Sequence, residues 1–308
     1  MDPLSDVLAL LKPRSYVSAG FDAGGDWAVR YPANIGIKCY SIVSGQCWLA
    51  VDGVSEPTLL KTGDCFLLPT GRPFVMGSDL SLTATDSMQV FAAPRVGGVI
   101  VHNGGGACLM VGSRFFLGHS HGEILLAMLP PIVHLRQEAD QATLLWSVNR
   151  MIQELHEQRP GSSLMAEHLA HMMLILALRL HMEESAKDKG ADAGVGWLFA
   201  LADRQMGLAL SAMHAQPAHR WTLQTLAQRA GMSRSAFALK FKTMVGASAM
   251  EYLTRWRMLL AGDKLLNSSA PISVIAPSLG YESESAFSTA FKRVMGCSPR
   301  DYVRRTAP

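Results

Sequence analysis

The stretch SESAFSTAFKRVMG (residues 283–296) nearly repeats an earlier stretch, SRSAFALKFKTMVG (residues 233–246). The two copies share seven of their fourteen positions: two serines, an alanine, two phenylalanines, a lysine and the final glycine. The phenylalanines of each copy are four residues apart, so they lie on one face of a helix. Serine is a favoured residue at a helix N-terminus, and glycine is favoured just after a C-terminus. The repeat therefore predicts two similar helices.

A shorter helical pattern and a glycine-containing turn precede each copy, at residues 221–232 and 272–282. A short helix, a tight turn and a second short helix form a helix-turn-helix. Pro277 lies within the first helix of the later unit, where its missing N–H predicts a short or kinked helix. Residues 254–267 predict a helix that holds the two units at a fixed distance.

The charge of the chain is unevenly distributed, although the net charge is only +3. Residues 1–196 contain 14 Lys and Arg against 19 Asp and Glu, whereas residues 197–308 contain 14 against 6. A basic segment indicates a polyanionic partner, because Lys and Arg neutralise phosphates and release their counterions. On charge alone, an ordinary basic domain is equally favoured, and a repeated helical unit could also bind protein.

Two domains are expected for a chain of 308 residues. Apolar and polar residues alternate from Tyr16 to Phe116, with frequent turn residues, which favours an antiparallel barrel or sandwich. Helical periodicity follows the two prolines at 130–131, and a small, charged, glycine-rich linker follows that. The predicted fold class is α+β, with these boundaries: a β-barrel and helices over 1–185, a linker over 186–196 and an all-α domain over 197–308.

The C-terminal third resembles the DNA-binding domain of AraC/XylS transcriptional regulators over about residues 210–305. The segments that carry the resemblance are WTLQTLAQRAGMSRSAFALKFK, RWRMLLAGDKLL and IAPSLGYESESAFSTAFKRVMGCSPRDYVRR. The N-terminal half resembles, more diffusely, the cupin-type ligand domain of some of these regulators. Its segments include PLSDVLALLKPR, LLKTGDCFLLPTGRPF and LLAMLPPIVHL.

This resemblance implies a regulator whose two recognition helices enter the major groove. The base-facing candidates it implies are Ser235, Ala238, Leu239, Glu284, Ser285, Ser288 and Thr289. The candidates for phosphate or flanking contacts are Arg234, Lys240, Lys242, Lys292 and Arg293. The implied partners are double-stranded promoter DNA, RNA polymerase if the protein is an activator, a small-molecule effector in the barrel, and a second copy bound through the N-terminal domain.

The alternative function is that of a metal-dependent cupin enzyme with an appended helical domain. His119 and His121, with Glu123 nearby, suggest a metal site, but they follow the last β-like segment. Phe74 stands where a ligating histidine is expected after Gly-Arg-Pro. We therefore predict a solvated loop, no metal, no cofactor and no enzymatic activity.

A thiol-based redox regulator is the third reading. The chain has five cysteines, an odd number without paired spacing, which favours reduced thiols. Those in predicted strands are expected to be buried, and Cys108 is the candidate for a redox role. The N-terminus lacks a secretion signal, and the apolar stretch 163–184 is interrupted by charged residues and histidines, which indicates a cytoplasmic protein without a membrane span.

Overall fold

The computed structural model describes residues 2–11, 14–94, 98–116, 130–135, 142–187 and 196–306. They divide into two compact units. The barrel unit comprises residues 14–116 and 130–184, and the helical unit comprises residues 2–11 and 185–306. Most of the predicted linker, residues 188–195, lies outside the described residues. The predicted α+β architecture is confirmed.

The barrel unit contains a curled sheet. Its described strands are β1 Arg14–Ala23, β2 Ala28–Tyr31, β3 Ile37–Val51, β4 Thr58–Lys61, β5 Cys65–Leu68, β6 Phe74–Gly77, β7 Thr85–Asp86, β8 Val99–His102, β9 Cys108–Phe116 and β10 Val133–Leu135. They follow the order β7-β2-β6-β3-β9-β1-β8, and β4, β5 and β10 branch from this path.

Strand β3 is 15 residues long and belongs to both parts of the sheet. Its first half pairs with β5 and β9, and its second half pairs with β4 and β6. The pairing with β9 shifts register between Ile42 and Ser44. Gly45 follows with φ +80°, and a Cβ there would lie 1.9 Å from the carbonyl oxygen of Ala107. The bulge and the glycine let the strand bend, which curls the sheet.

The two faces of this sheet have different partners. The concave face carries the main apolar core, which includes Phe66, Phe74 and Met110. On the opposite face, the Phe115 ring packs edge-on against the His171 ring at 5.4 Å. Helices cover this second face: α3 (Ala142–Glu157) contacts β1 and β3, and α4 (Ser162–Lys187) follows it, while α2 is the single turn Ser87–Val90.

Among the described residues, one helical segment, Ser162–Glu183, has the length and mean hydropathy (1.3) of a membrane span. In its most apolar window, 39% of the residues are buried inside the protein. Core helices of water-soluble proteins meet the same criteria, so this segment is weak evidence for a membrane span.

The helical unit contains nine described helices. They are α1 Pro3–Leu11, α5 Trp197–Ala202, α6 Arg204–Ala215, α7 Leu223–Arg229, α8 Arg234–Val245, α9 Ala249–Asn267, α10 Ile272–Ser278, α11 Glu284–Met295 and α12 Pro299–Thr306. Helices α7 and α8 form the first helix-turn-helix, and α10 and α11 form the second. Helix α9 joins them and is about 28 Å long at 1.5 Å per residue.

The short helix α10 ends directly after Pro277, at Ser278. The prediction of a short first helix in the second unit is therefore confirmed. Helix α7 has the same length, seven residues, without a proline. The connection to the second helix is one residue longer in the later unit, so the added residue lies in the turn.

Helix α1 packs within the helical unit, against α6 and α9. Its apolar residues Leu4, Val7 and Leu10 are buried. The sequence prediction grouped these residues with the barrel. Their buried face explains the packing, because an isolated nine-residue helix is not stable in water without an apolar surface to cover.

Candidate nucleic-acid interface

The two recognition helices, α8 and α11, are anchored in the same way. Ser233 accepts a hydrogen bond from the backbone N–H of Ala236, and Ser283 accepts one from Ala286. Each helix ends at a glycine in the left-handed conformation, with φ +78° in the first copy and +75° in the second. Both ends of the repeated stretch therefore serve to start and stop a helix.

The repeated phenylalanines form the buried face of each recognition helix. Phe237, Phe241, Phe287 and Phe291 are all 0% exposed. The second phenylalanine of each pair meets a tyrosine edge-on: Phe241 meets Tyr252 at 6.0 Å, and Phe291 meets Tyr302 at 5.4 Å. The two shared phenylalanines thus provide the packing that fixes each helix in its unit.

Three of the positions where the two copies differ, 234/284, 238/288 and 239/289, lie away from this buried face. The predicted base-facing side chains are exposed at five positions and half-buried at two. The exposed ones are Ser235, Leu239, Glu284, Ser285 and Thr289, and the half-buried ones are Ala238 and Ser288. Leu239 is 72% exposed.

Four of the five predicted phosphate-contacting side chains are exposed: Arg234, Lys242, Lys292 and Arg293. The fifth, Lys240, is half-buried and bound within the protein. Its Nζ is 2.7 Å from Oδ2 of Asp203 and 3.0 Å from Oε1 of Gln205. This ammonium connects α8 to the start of α6, so its charge is already paired.

Arg257 on α9 is a structural residue that the sequence analysis did not single out. Its Nε donates to the carbonyl oxygen of Pro217 at 2.7 Å, and its Nη2 donates to that of His219 at 2.9 Å. Its guanidinium also lies 5.7 Å from the Tyr281 ring, in the turn of the second unit. One arginine therefore links the segment before the first unit to the turn of the second.

The basic end of the chain adds exposed cations that the sequence analysis also missed. Arg300, Arg304 and Arg305 on α12 are exposed, and Arg304 donates to Asp301 at 2.7 Å. The signal was present in the sequence, as the arginines on both sides of Tyr302.

The structure describes only part of the predicted metal-site region. His119, His121 and Glu123 lie outside the described residues. Within the part of the chain that the structure describes, no group of three His, Cys, Asp or Glu could hold a metal ion. Phe74 is fully buried and stacks on the Tyr31 ring at 4.4 Å.

Cys108 is 1% exposed, which does not fit the accessible thiol that a redox sensor needs. Cys39, Cys47 and Cys65 are also buried. A hydrogen bond with Cys108, and then burial, raise the pKa of the Cys47 thiol well above its usual range. The sulfur atoms of Cys39 and Cys65 form another close pair, 4.0 Å apart.

Comparisons with known proteins agree with this geometry. A cupin family model matches residues 2–183, and a helix-turn-helix domain model matches residues 226–305. The chain is 45% identical to a putative AraC-like transcription regulator of Streptomyces antibioticus, over 100% of both chains. It is 44% identical to one of Streptomyces lividans, over 98% of both.

Among solved structures, the DNA-binding domain of the global transcriptional factor AdpA, in complex with a target DNA, is 27% identical to this chain. It has a TM-score of 0.32, and the match covers 33% of this chain and 92% of that one. Full-length identity to two regulators and the two domain matches define the family. The chain belongs to the AraC-like transcription regulators, with an N-terminal cupin domain and a C-terminal DNA-binding helix-turn-helix domain.

Proposed function

We propose that the protein activates transcription from a promoter that it reads with α8 and α11, under the control of a small molecule held by its barrel unit. The observation that carries this proposal is the pairing of an identical buried anchor with different exposed residues in the two recognition helices. A shared anchor sets the same pose on DNA, and different outward residues suit different bases in two groove segments.

The length of α9 supports two contacts on one face of the duplex. Helix α9 is about 28 Å long, close to the ~34 Å pitch of B-DNA. The first recognition helix packs near its start, through Phe241 and Tyr252. The second packs near its end, in a core that includes Met258 and Ala261. Two successive major-groove segments are therefore within reach.

The remaining parts of the proposal extend the family assignment. The effector would bind the barrel unit and shift the population of the DNA-competent state, which requires different affinities for the two states. We further propose a cytoplasmic homodimer formed through the N-terminal domain, contact with RNA polymerase, and no enzymatic activity. The acidic balance of residues 1–196 and the basic balance of residues 197–308 support a division between sensing and DNA binding.

The direct test is selection of duplexes from a random library by the full-length chain. A defined two-part motif, with each part about one helical turn from the other, is expected. Affinity for the selected duplex should fall steeply with salt, because phosphate contacts release counterions. Recovery of no motif, with binding equal for all sequences, would contradict the proposal.

Arg234→Ala should weaken binding to specific and unrelated duplexes by a similar factor. Arg234 is exposed at the start of α8, where its charge suits a phosphate. Loss of one phosphate contact should reduce the slope of log affinity against log salt by about 1. Lys61→Ala removes an exposed charge from the barrel unit and is the control that should leave the slope unchanged. An Arg234→Ala effect confined to one base pair would assign this residue to base reading instead.

Exchanging the outward residues of the two recognition helices should exchange the two halves of the selected motif. The exchange replaces Arg234, Ala238 and Leu239 with Glu, Ser and Thr, and makes the reverse changes at 284, 288 and 289. Each base contact contributes about 1–3 kcal/mol of discrimination, so preference should change by about 10-fold or more per position. The measurement is a repeat of the selection with the exchanged variant. An unchanged motif would show that other residues read the bases.

A further inference from the structure

A lysine is buried on the concave face of the barrel unit. Lys38 is in phase with Tyr40 and Ile42 on β3, and it is only 7% exposed. Its Nζ lies 4.8 Å from the centre of the Tyr31 ring and 4.5 Å from that of Phe74. Among the described residues, no carboxylate lies within ion-pair distance of this ammonium. Burying a charge without a counter-ion lowers the stability of the fold, so the presence of a lysine at this position needs an explanation.

A second cation faces Lys38 directly. Arg114 is its cross-strand partner on β9, and like charges placed opposite each other are destabilising. Burial, and then the charge of Arg114, lower the pKa of Lys38 to about 8. The Arg114 guanidinium lies 4.3 Å from the Phe116 ring, and its Nη2 donates a long hydrogen bond of 3.4 Å to the carbonyl oxygen of Ile35. Its Nε is buried and has no hydrogen-bond partner within the described part of the chain.

A buried hydroxyl completes this group, which we name the Lys38 cluster: Lys38, Arg114 and Tyr31. Tyr31 is 4% exposed, and its Oη has no hydrogen-bond partner among the residues that the structure describes. An unsatisfied buried hydroxyl is destabilising, and native proteins contain few of them. The cluster therefore presents ammonium, guanidinium and phenol donors, and none of its three members is a carboxylate.

We propose that the Lys38 cluster binds the carboxylate of a small organic acid, which is the effector of the proposed function. A carboxylate accepts several hydrogen bonds and matches the planar guanidinium of arginine. The walls beside the cluster are aromatic: Tyr40 lies flat over Gly112, where a Cβ would come within 2.4 Å of its ring. Such walls suit an apolar body attached to the carboxylate.

Stacking on aromatic rings is a purely structural explanation for the two cations. It accounts for part of their stabilisation, because a cation over a ring face is attracted by the ring. It leaves Nε of Arg114 and Oη of Tyr31 without partners, and it does not offset the repulsion between the two charges. An anionic acceptor would satisfy these donors and would also offset the repulsion between the two charges.

The test uses the full chain labelled with ¹³C-lysine and follows the Cε resonance of Lys38 by NMR. The nearby Tyr31 and Phe74 rings should shift this resonance, and its absence in Lys38→Met identifies it. Formate, the smallest carboxylate, and benzoate are each titrated at constant ionic strength. Both should move the resonance to a saturating limit and raise the pKa of Lys38 by about one unit. A rise of that size means that the carboxylate binds the protonated lysine about tenfold more tightly than the neutral one. Benzamide, the neutral analogue of benzoate, should not.

Variants assign the response to the cluster. Arg114→Met should weaken the benzoate response of Lys38 by about tenfold, which corresponds to one lost charge-assisted contact. Tyr31→Phe, which keeps the ring, should weaken it several-fold and is the variant least able to disturb folding. Lys61→Met, on the exposed surface of the same unit, should leave it unchanged. Benzoate should raise the melting temperature of the original chain, because it binds the folded state, and it should not raise that of Lys38→Met.

The outcomes separate this inference from the proposed function, since binding to the selected duplex is measured on the same samples. Intact duplex binding with a Lys38 resonance that ignores formate and benzoate overturns the carboxylate site alone. A response to phenyl phosphate with none to benzoate overturns the assignment of a carboxylate. Loss of sequence-specific duplex binding by the unmodified chain contradicts the proposed function, whatever the cluster binds.

Discussion

Phe287→Ala is expected to destabilise the helical unit by about 3–5 kcal/mol, the usual cost of truncating a buried phenylalanine. Phe287 is 0% exposed, and its ring lies 5.7 Å from the Tyr281 ring and 5.8 Å from that of Phe291. The contact with Tyr281, and a shared core that includes Met258 and Ile275, hold α11 against the rest of its unit. A loss of this size is a large part of the stability of a small domain, so specific DNA binding should fall with it.

Urea unfolding of the full chain, followed by circular dichroism, measures the loss. Thr289→Ala is the matched control, because it changes an exposed residue of the same helix and should alter stability by less than about 0.5 kcal/mol. Phe237→Ala tests the first copy and should be as costly, since its ring is equally buried. A loss below about 1 kcal/mol for Phe287→Ala would show that the phenylalanine stripe is not the anchor of α11.

The recognition helices were predictable because their signals are local. Each recognition helix starts at a serine, buries two phenylalanines and ends at a glycine. These residues have the same spacing in both copies, so the sequence predicts both helices. The exposure of positions 234/284 and 239/289, away from the phenylalanine face, then follows from helix geometry. The contacts that a residue makes outside its own helix do not follow from helix geometry.

Lys240 illustrates this limit. Its position on α8 suggests a free cation, yet the ammonium pairs with Asp203, which lies 37 residues earlier in the chain. The packing of α1 against α6 and α9 has the same origin, because the apolar face of a short helix does not specify which surface will cover it. Distant partners of this kind depend on the three-dimensional arrangement of elements.

The Lys38 cluster was predictable from the sequence only in part. The alternation of IKCYSIV places Lys38 in phase with Tyr40 and Ile42, so a lysine on the concave face was detectable in the sequence. Its cross-strand partner was not, because the pairing of Lys38 with Arg114 depends on the register between β3 and β9. That register includes a bulge, which sequence alternation does not reveal.

Acidification is expected to destabilise the helical unit through His214. This residue is 5% exposed, its Nε2 is 2.8 Å from Oη of Tyr252, and its ring stacks on Trp256 at 4.0 Å. Burial lowers the pKa of His214 to about 3, and the negative charge of Asp2 opposes this only in part, although Oδ2 of Asp6 lies 3.6 Å from Nδ1 of the ring. The folded unit therefore holds His214 neutral over a wide pH range.

The sign of the effect follows from proton linkage. An unfolded histidine has a pKa of about 6.5, so below that pH the unfolded chain binds a proton that the folded chain does not. The free energy of unfolding should fall by about 2 kcal/mol between about pH 7 and pH 5, and continue to fall toward pH 3. Above about pH 7, both states are neutral at this residue and its contribution should be constant.

His214→Gln tests this assignment, because glutamine can retain a hydrogen bond to Tyr252 but does not titrate. The variant should be less stable than the original chain at neutral pH and should lose the His214 part of the acid dependence. His219→Gln is the matched control, because it makes the same substitution at an exposed histidine of the same unit. Urea unfolding at a series of pH values, followed by tryptophan fluorescence, provides the measurement. An identical slope in His214→Gln and the original chain would assign the acid sensitivity to other groups, since a residue that cannot titrate cannot take up the proton.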